Sequence, residues 1–209
     1  MGTSVTDSKL AQLAEMIDQW PGLVSGPAIE LVEDCLVLVE HLDHARTVVD
    51  VGSGGGLPGL VVKIARPELA VTLVEADQAK AAFLVQASAR LGVAGVEVVA
   101  SRAEEAAHDP RHREAFDVAT ARALAPMPVL AELCLAFVRV GGRLLAQKTE
   151  KEDVDAAAHA IELLGGAPPH VLAARSAARG GGTIVVVSKL RPTPDRYPRR
   201  PGVPARKPL

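Results

Sequence analysis

A glycine-rich turn, Gly52-Ser53-Gly54-Gly55-Gly56, is the stretch of this sequence whose residue types are best suited to binding a ligand. It follows an apolar run at residues 48–51, predicted to be a strand, and precedes a predicted helix at residues 58–65. Glycine accepts positive φ angles and lets a ligand lie against bare backbone. Open α/β sheets bind ligands beyond the carboxyl ends of their strands. The turn therefore predicts a ligand site at that edge of a sheet.

Three interpretations of the turn compete. A phosphate-binding loop needs Lys followed by Ser or Thr after its glycines, and Leu57-Pro58 stands there instead. A dinucleotide fold favours Gly or Ala where this chain has Leu57, and it needs no acid two residues before the first glycine. A methyltransferase turn does have such an acid, here Asp50, which is expected to orient the loop and to hold water or the cofactor's amino group. The pattern favours a methyltransferase and leaves open dinucleotide binding or a turn without a ligand.

Polar residues after the following strands extend this predicted site. Glu75 ends the second strand and is placed to accept the two ribose hydroxyls of an adenosine, although a helix-capping acid is the alternative. Ala103 and Glu104 follow the third strand and are expected near the adenine. Arg122 follows the fourth strand and can meet a carboxylate with two hydrogen bonds, unless it is a solvated loop charge.

The alternation of segments predicts an α/β fold of the Rossmann-like, class I methyltransferase type, with a mostly parallel seven-stranded sheet and helices on both faces. Hydrophobic residues make up 48% of the 209 residues and aromatics 2%, so Ala, Val and Leu must form the core. The predicted strands are residues 48–51, 71–74, 96–99, 116–120, 143–146, 171–174 and 183–188. The predicted helices are residues 7–19, 28–43, 58–65, 78–91, 128–138 and 152–164.

Charge divides the chain into three predicted parts: a helical segment at residues 1–45, a cofactor-binding domain at 46–190 and a basic, proline-rich arm at 191–209. Residues 1–45 carry one lysine and eight acids, whereas residues 189–209 carry seven basic side chains and one acid. The last 21 residues also hold six of the 15 prolines, which favours an extended arm over a packed element. The chain is predicted to be a monomer.

Several classes of protein are excluded by what the sequence lacks. No apolar run approaches the roughly 20 residues needed to cross a bilayer, and the N-terminus lacks the layout of a signal peptide. Cys35 and Cys134 are too few for a disulfide framework and are expected in the core. No cysteine or histidine cluster has the spacing of a zinc site, so no metal is expected. These features predict a cytoplasmic protein with no membrane partner.

The sequence resembles the glucose-inhibited division protein B family, which methylates N7 of a guanine in small-subunit (16S) ribosomal RNA. The first matching stretch is residues 50–59, which contain the turn. The others are residues 66–67, 71–75, 80, 83–84, 102–105, 116–123, 144–148 and 197–204. The Thr-Ala-Arg-Ala stretch at residues 120–123 and the stretch at 197–204 are more specific than the glycine turn. The resemblance covers roughly residues 47–209.

The resemblance implies S-adenosylmethionine as cofactor and ribosomal RNA or a ribosomal particle as partner. With the turn, it gives the predicted cofactor-binding residues: Asp50, Gly52, Ser53, Gly54, Gly56, Leu57, Glu75, Ala103, Glu104 and Arg122. Arg122 and Lys148 are the expected catalytic residues, which orient the cofactor and the base or its phosphate. The expected RNA contacts are Lys148, Arg199, Arg200, Arg206 and Lys207. Guanine N7 has an in-plane lone pair and no proton, so alignment of the reactants is expected to suffice without a general base.

The N-terminal region departs from the family pattern. Trp20-Pro21-Gly22 replaces a Trp-Asn motif, and residues 31–36 stand where a His-x-x-Asp-Ser-Leu motif is usual, with Leu31 at the histidine position. The usual Ala-Leu-Lys-Gly is here Ala146-Gln147-Lys148-Thr149. A methyltransferase of the same fold that acts on a small molecule or a protein, or a non-catalytic paralogue, therefore stays open as an alternative.

Overall fold

The alternating segments form a seven-stranded sheet in the computed structural model, which describes residues 5–176 and 180–209. The strands are β1 (Thr47–Val51), β2 (Ala70–Val74), β3 (Val96–Val99), β4 (Phe116–Arg122), β5 (Val138–Lys148), β6 (His170–Ala173) and β7 (Thr183–Ser188). Their order in the sheet is β3-β2-β1-β4-β5-β7-β6. Neighbours among β1 to β5 pair in parallel, and β7 runs antiparallel to both β5 and β6. The carboxyl ends of β1, β2 and β4 therefore meet at one edge.

Helices cover both faces of this sheet, as the sequence predicted. They are α1 (Val5–Asp18), α2 (Ala28–Cys35), α3 (Gly59–Ala65), α4 (Gln78–Arg90), α5 (Ala103–Ala106), α6 (Met127–Leu135), α7 (Ala158–Leu163) and α8 (Val203–Arg206). Successive strand residues point to opposite faces. Val48 thus packs with side chains of α1 to α4, whereas Val49 packs with those of α6 and α7. The fold is Rossmann-like α/β, and this prediction is confirmed.

Three predicted elements have different bounds in the structure. The helix expected at residues 28–43 becomes 3₁₀ over Leu36–His41, which places Cys35 and Leu38 on one buried side, three residues apart. The strand expected at 143–146 begins at Val138, because Val138 pairs with Phe116 and so ends α6 early. The helix expected at 152–164 starts only at a 3₁₀ turn, Asp155–Ala157.

The carboxylate of Glu152 explains the late start of that helix. Its Oε1 accepts a hydrogen bond from the main-chain N of Met127, 2.7 Å away, and its Oε2 lies 3.1 Å from Nζ of Lys148. These contacts satisfy a free N–H at the start of α6 and hold residues 149–154 as a loop beside β5. Local helix propensity cannot anticipate such long-range partners.

The predicted extended arm at the C-terminus is wrong in one respect, because the segment is packed. The buried ammonium of Lys189 contacts Glu114 and the hydroxyl of Thr193 at 2.9 and 2.8 Å. Nη1 of Arg113 donates to the carbonyl of Tyr197 at 2.9 Å, and the Tyr197 ring is buried in the core that contains α6. Proline excludes regular pairing, but side chains from the domain satisfy the carbonyls of this segment.

No helix in residues 5–176 and 180–209 is long and apolar enough to cross a bilayer. The same residues contain no group of three or more histidine, cysteine or acidic side chains that can hold a metal ion. Cys35 and Cys134 are both buried in the core, as predicted, and burial raises the pKa of the Cys134 thiol. The first four residues and residues 177–179 of the predicted parts lie outside the described residues.

Candidate active site

The glycine turn forms one wall of a cavity at the carboxyl edge of the sheet. Gly52, Gly54 and Gly56 have φ angles of 73°, 53° and 83°, which side chains rarely tolerate. The main-chain N atoms of Gly52 and Ser53 donate to the carbonyl of Val74, at 2.9 and 3.1 Å, so the turn is fastened to β2. At Gly54 the space that a Cβ would take is empty except for one main-chain oxygen at 4.0 Å. The turn therefore presents open backbone to the cavity.

Asp50 shapes this turn from below. Its side chain is fully buried; Oδ2 accepts from the main-chain N of Gly59 at 3.0 Å and Oδ1 from the hydroxyl of Thr120 at 3.2 Å. Burial raises the pKa of Asp50 to about 6, and these hydrogen bonds oppose the rise. The expected orienting role has a structural basis. Asp50 is not among the residues that line the cavity, so its expected contact with water or the cofactor's amino group stays a prediction.

The cavity has a volume of about 520 Å³ and collects most of the predicted cofactor residues. Those that line it are Gly52, Ser53, Gly54, Leu57, Glu75, Ala103, Glu104 and Arg122. Asp50 and Gly56 are not among the residues that line it, and their contact with the ligand stays a prediction. A Cβ on Gly56 would lie 2.5 Å from Cδ1 of Leu60, so this glycine allows the turn to pack on α3.

Glu75 closes the floor of the cavity at the end of β2. Its Oε2 accepts from the main-chain N of Gly54 and its Oε1 from that of Asp77, both at 2.8 Å. A carboxylate has about four acceptor positions, so two remain for the hydroxyls of a ribose. Glu75 does not cap the following helix, which was the alternative, because the side chain that caps α4 belongs to Asp77.

Glu104 lies at the opposite side of the cavity, in the first turn of α5. Its side chain is only 4% exposed, and Oε1 accepts from the main-chain N of Gly202 at 2.8 Å. Nη2 of Arg102 lies 3.4 Å from the same oxygen. The C-terminal segment thus holds an acid of the cavity wall, a contact that sequence spacing did not reveal.

Arg122, at the end of β4, separates the first cavity from a second one of about 290 Å³. Its Nη2 lies 3.4 Å from Oδ2 of Asp34, and its buried Nε has no partner within the described residues. The second cavity is also lined by Gln147 and Lys148. Nζ of Lys148 contacts the carbonyl of Ala125 at 2.5 Å as well as Glu152, so the lysine fixes the wall between the cavities.

These features fit S-adenosylmethionine. The volume of the first cavity is within the range of about 300–1,000 Å³ found for small-molecule sites. Open backbone at Gly54 suits a nucleoside, and the spare acceptors of Glu75 suit its hydroxyls. The unpartnered Nε of Arg122 suits a carboxylate.

Comparison with known sequences decides the family. A model of the family GidB, described as rRNA small subunit methyltransferase G, matches residues 28–179. A protein named Ribosomal RNA small subunit methyltransferase G from Moorella thermoacetica is 45% identical over 179 residues, covering 83% of this chain and 74% of that protein. One of the same name from Dehalococcoides mccartyi is 42% identical over 210 residues, covering 99% and 83%. The chain belongs to the rRNA small subunit methyltransferase G family.

The solved structures agree with this family at the level of the fold. The O-methyltransferase TomG from Streptomyces achromogenes, crystallised with S-adenosylmethionine, is 18% identical with a TM-score of 0.59, covering 88% of this chain and 90% of that one. The predicted resemblance and the predicted cofactor of the family are thereby confirmed. The individual site residues remain predictions.

In this family member the N-terminal segment supplies a cavity wall that sequence reasoning missed. Leu23, Val24, Ser25 and Leu31 line the first cavity. The apolar members are indistinguishable in sequence from core residues of an amphipathic helix. For Asp34 one signal existed, since it keeps the acid of the His-x-x-Asp pattern while Leu31 loses the histidine.

The predicted RNA contacts divide into two groups. Arg200, Arg206 and Lys207 are exposed. Arg199 instead forms a bidentate pair with Glu132, with Nη2 2.6 Å from Oε2 and Nε 2.9 Å from Oε1. Glu132 is completely buried. The guanidinium of Arg199 thus neutralises a buried carboxylate in this structure, and its contact with phosphate stays a prediction.

Proposed function

We propose that this chain transfers a methyl group from S-adenosylmethionine to N7 of a guanine in small-subunit ribosomal RNA. The observation that carries the proposal is the pair of cavities that share the wall formed by Arg122, Ala123 and Leu124 at the carboxyl edge of the sheet. One cavity suits the cofactor, and the other is beside it. Membership of the family supports ribosomal RNA as the acceptor.

The residues of the first cavity bind and orient the cofactor in this proposal. When bound, S-adenosylmethionine supplies a methyl group that its positively charged sulfur makes electrophilic. Glu75 accepts hydrogen bonds from the ribose, and residues 103–104 border the adenine. Arg122 directs its free Nε toward the carboxylate, which satisfies a buried donor that otherwise costs about 1–3 kcal/mol.

The second cavity receives the acceptor base. Guanine N7 carries a lone pair in the ring plane, so the chain needs only to align nitrogen, methyl carbon and sulfur. Lys148 is held between Ala125 and Glu152, which fixes the loop that separates the two cavities. Its ammonium also lines the second cavity, where it orients the base or its phosphate. Arg122 and Lys148 thus act by orienting the cofactor and the acceptor, and the reaction does not require either of them to transfer a proton.

The RNA backbone lies across the C-terminal segment in this proposal. Gly202 is hydrogen-bonded to Glu104, so the exposed Arg200, Arg206 and Lys207 lie close in the chain to a residue at the cavity wall. Three cations on a packed segment can neutralise phosphates without large ordering costs. The parts at residues 1–45, 46–190 and 191–209 then serve as cavity wall, catalytic domain and RNA contact. We infer a monomer that works in the cytoplasm, where its ribosomal substrate lies.

Tritiated methyl transfer to small ribosomal subunits that lack the modification tests this function. We expect label in the RNA at one guanine, located by cleavage at N7-methylguanine, and a loss of about 100-fold in kcat/KM for Arg122→Ala. Arg111→Ala is the control, because that arginine is exposed and pairs with Asp109 on the surface. Cofactor binding without transfer to RNA would contradict the acceptor, and no cofactor binding would contradict the whole proposal.

A further inference from the structure

A small polar cluster centred on Asp34 lies behind the wall between the two cavities. Asp34 belongs to α2 and is 2% exposed. Besides Arg122, its carboxylate accepts from Nε2 of Gln147 at 3.0 Å and from the hydroxyl of Ser176 at 2.9 Å. Nε2 of Gln147 also donates to the main-chain O of Asp34 at 2.8 Å. An acid of the N-terminal segment is thus bonded to three separate parts of the domain.

The sheet register explains why these groups meet. Arg122 and Gln147 are paired residues of β4 and β5, so their side chains emerge next to each other at the carboxyl edge. Asp34 of α2 reaches this edge, and its carboxylate contacts both Arg122 and Gln147. The amide of Gln147 is tied at both the main chain and the side chain of Asp34, which leaves the carboxylate little freedom to turn.

The contact with Arg122 uses only part of its guanidinium. Nη2 lies 3.4 Å from Oδ2 of Asp34, whereas Nε is buried without a partner within the described residues. A guanidinium has five donors in a fixed planar fork. Holding one nitrogen from behind therefore sets the direction of the whole guanidinium of Arg122, a residue that lines both cavities.

We propose that Asp34 is a positioning residue, which fixes the guanidinium of Arg122 in the orientation that binds the cofactor. Gln147 and Ser176 hold Asp34 in turn, so the N-terminal helix acts on the cofactor site through this one side chain. The inference rests on the proposed function, since it requires Arg122 to contact the cofactor. It gives a role to the acidic N-terminal segment that its net charge does not suggest.

Calorimetric binding of S-adenosylhomocysteine by the full chain tests this coupling without an acceptor. Asp34→Asn keeps the size of the side chain and removes its charge; we expect about tenfold weaker binding, because a charge-assisted contact no longer holds Arg122. In an Arg122→Ala background the same change should weaken binding by no more than about twofold, since both changes remove one interaction. Equal losses in the two backgrounds would overturn the proposal, as would full affinity of Asp34→Asn.

Two further variants make the result specific. Glu33→Gln removes the same charge from the neighbouring, exposed position of α2 and should leave affinity unchanged. Ser176→Ala loosens Asp34 without touching either cavity and should weaken binding by about two- to fivefold, again only when Arg122 is present. This variant decides the question if thermal unfolding shows that Asp34→Asn does not fold. An unchanged affinity, or a loss that persists without Arg122, would then contradict the role of Asp34.

The two proposals can fail separately in this experiment. Coupling between Asp34 and Arg122 in the binding of S-adenosylhomocysteine, together with no methyl transfer to ribosomal subunits, would remove the proposed acceptor and leave the positioning role. Methyl transfer to the predicted guanine, together with affinity losses of Asp34→Asn and Arg122→Ala that simply add, would support the proposed function and contradict the positioning role. No binding by the unmodified chain would overturn both.

Discussion

The two ends of this chain reach the same cavity by different means. The N-terminal segment, residues 5–45, contributes side chains to the cavity wall and Asp34 to the cluster behind it. The C-terminal segment, residues 189–209, is absent from the lining, but the main-chain N of Gly202 holds Glu104. One end therefore shapes the cavity directly, and the other supports it from outside. The lesson is that net charge along a sequence does not tell which charges are available to a partner.

The largest expected effect is a loss of unfolding free energy when Arg199 is replaced, in contrast to the exposed arginines of the C-terminal segment. Arg199→Ala leaves the carboxylate of Glu132 buried without its partner, and breaking a buried pair costs about 3–5 kcal/mol. Chemical denaturation should show this loss of unfolding free energy. Arg200→Ala, at the exposed neighbouring position, is the matched control and should leave stability unchanged. Equal stability of the two variants would mean that the segment is not anchored by this pair.

The next effect concerns Asp50, whose carboxylate is hydrogen-bonded to Gly59 and Thr120 in the middle of the chain. Because burial raises its folded pKa to about 6 from 3.8, stability is lost as the pH rises through this interval and the unfolded chain ionises first. Asp50→Asn removes the ionisation; its amide oxygen can still accept from Gly59, and its NH2 group can donate to the hydroxyl of Thr120. Its unfolding free energy relative to the unmodified chain should therefore rise by about 2–3 kcal/mol between about pH 4 and 6 and then level off, which chemical denaturation at a series of pH values checks. A constant difference across that interval would refute the assignment.

A smaller effect tests the N-terminal cavity wall. Val24 faces the glycine turn, and its Cγ1 would lie 3.5 Å from a Cβ on Gly55. Val24→Asp adds a negative charge to a cavity that already contains Glu75 and Glu104, and we expect about tenfold weaker binding of S-adenosylhomocysteine. Val85→Asp, on an exposed position of α4, serves as the control for charge. Unchanged affinity at Val24 would show that the N-terminal segment does not enclose the ligand.

The smallest effect tests the outward-facing cations of the C-terminal segment. Arg200→Ala combined with Arg206→Ala should weaken RNA binding by several-fold at moderate salt and reduce the slope against log salt concentration by about two. Cofactor affinity should not change, because neither side chain lines the cavity. Binding to small-subunit RNA measured over a series of salt concentrations checks both values. An unchanged slope would place the RNA elsewhere on the molecule.

Much of the fold followed from local patterns. The glycine turn after β1 and the apolar strands each act over a few residues, so spacing alone located their elements. The exceptions were elements limited by distant partners. β5 extends back to Val138 because it pairs with Phe116, and the helix expected from residue 152 is delayed by contacts of Glu152.

The site shows the same division. Glu75 and Arg122 were found because parallel strands bring their carboxyl ends to one edge, a rule that topology makes general. Asp50 was recognised, but its position beneath the turn was not, since this depends on the packing of α3. Asp34, Val24 and Gly202 were not found, because each reaches the site from a segment far away in the chain.

By itself, the sequence determined the order of strands and helices, the glycine turn, the family and the cofactor class, all of which depend on residue types at short spacing. Only the tertiary structure decided which charges are used inside the protein. Folding buries Asp34, half-buries Arg199 and gives each a partner more than 60 residues away. A buried charge is stable only when it is paired, and such a partner is chosen by three-dimensional packing.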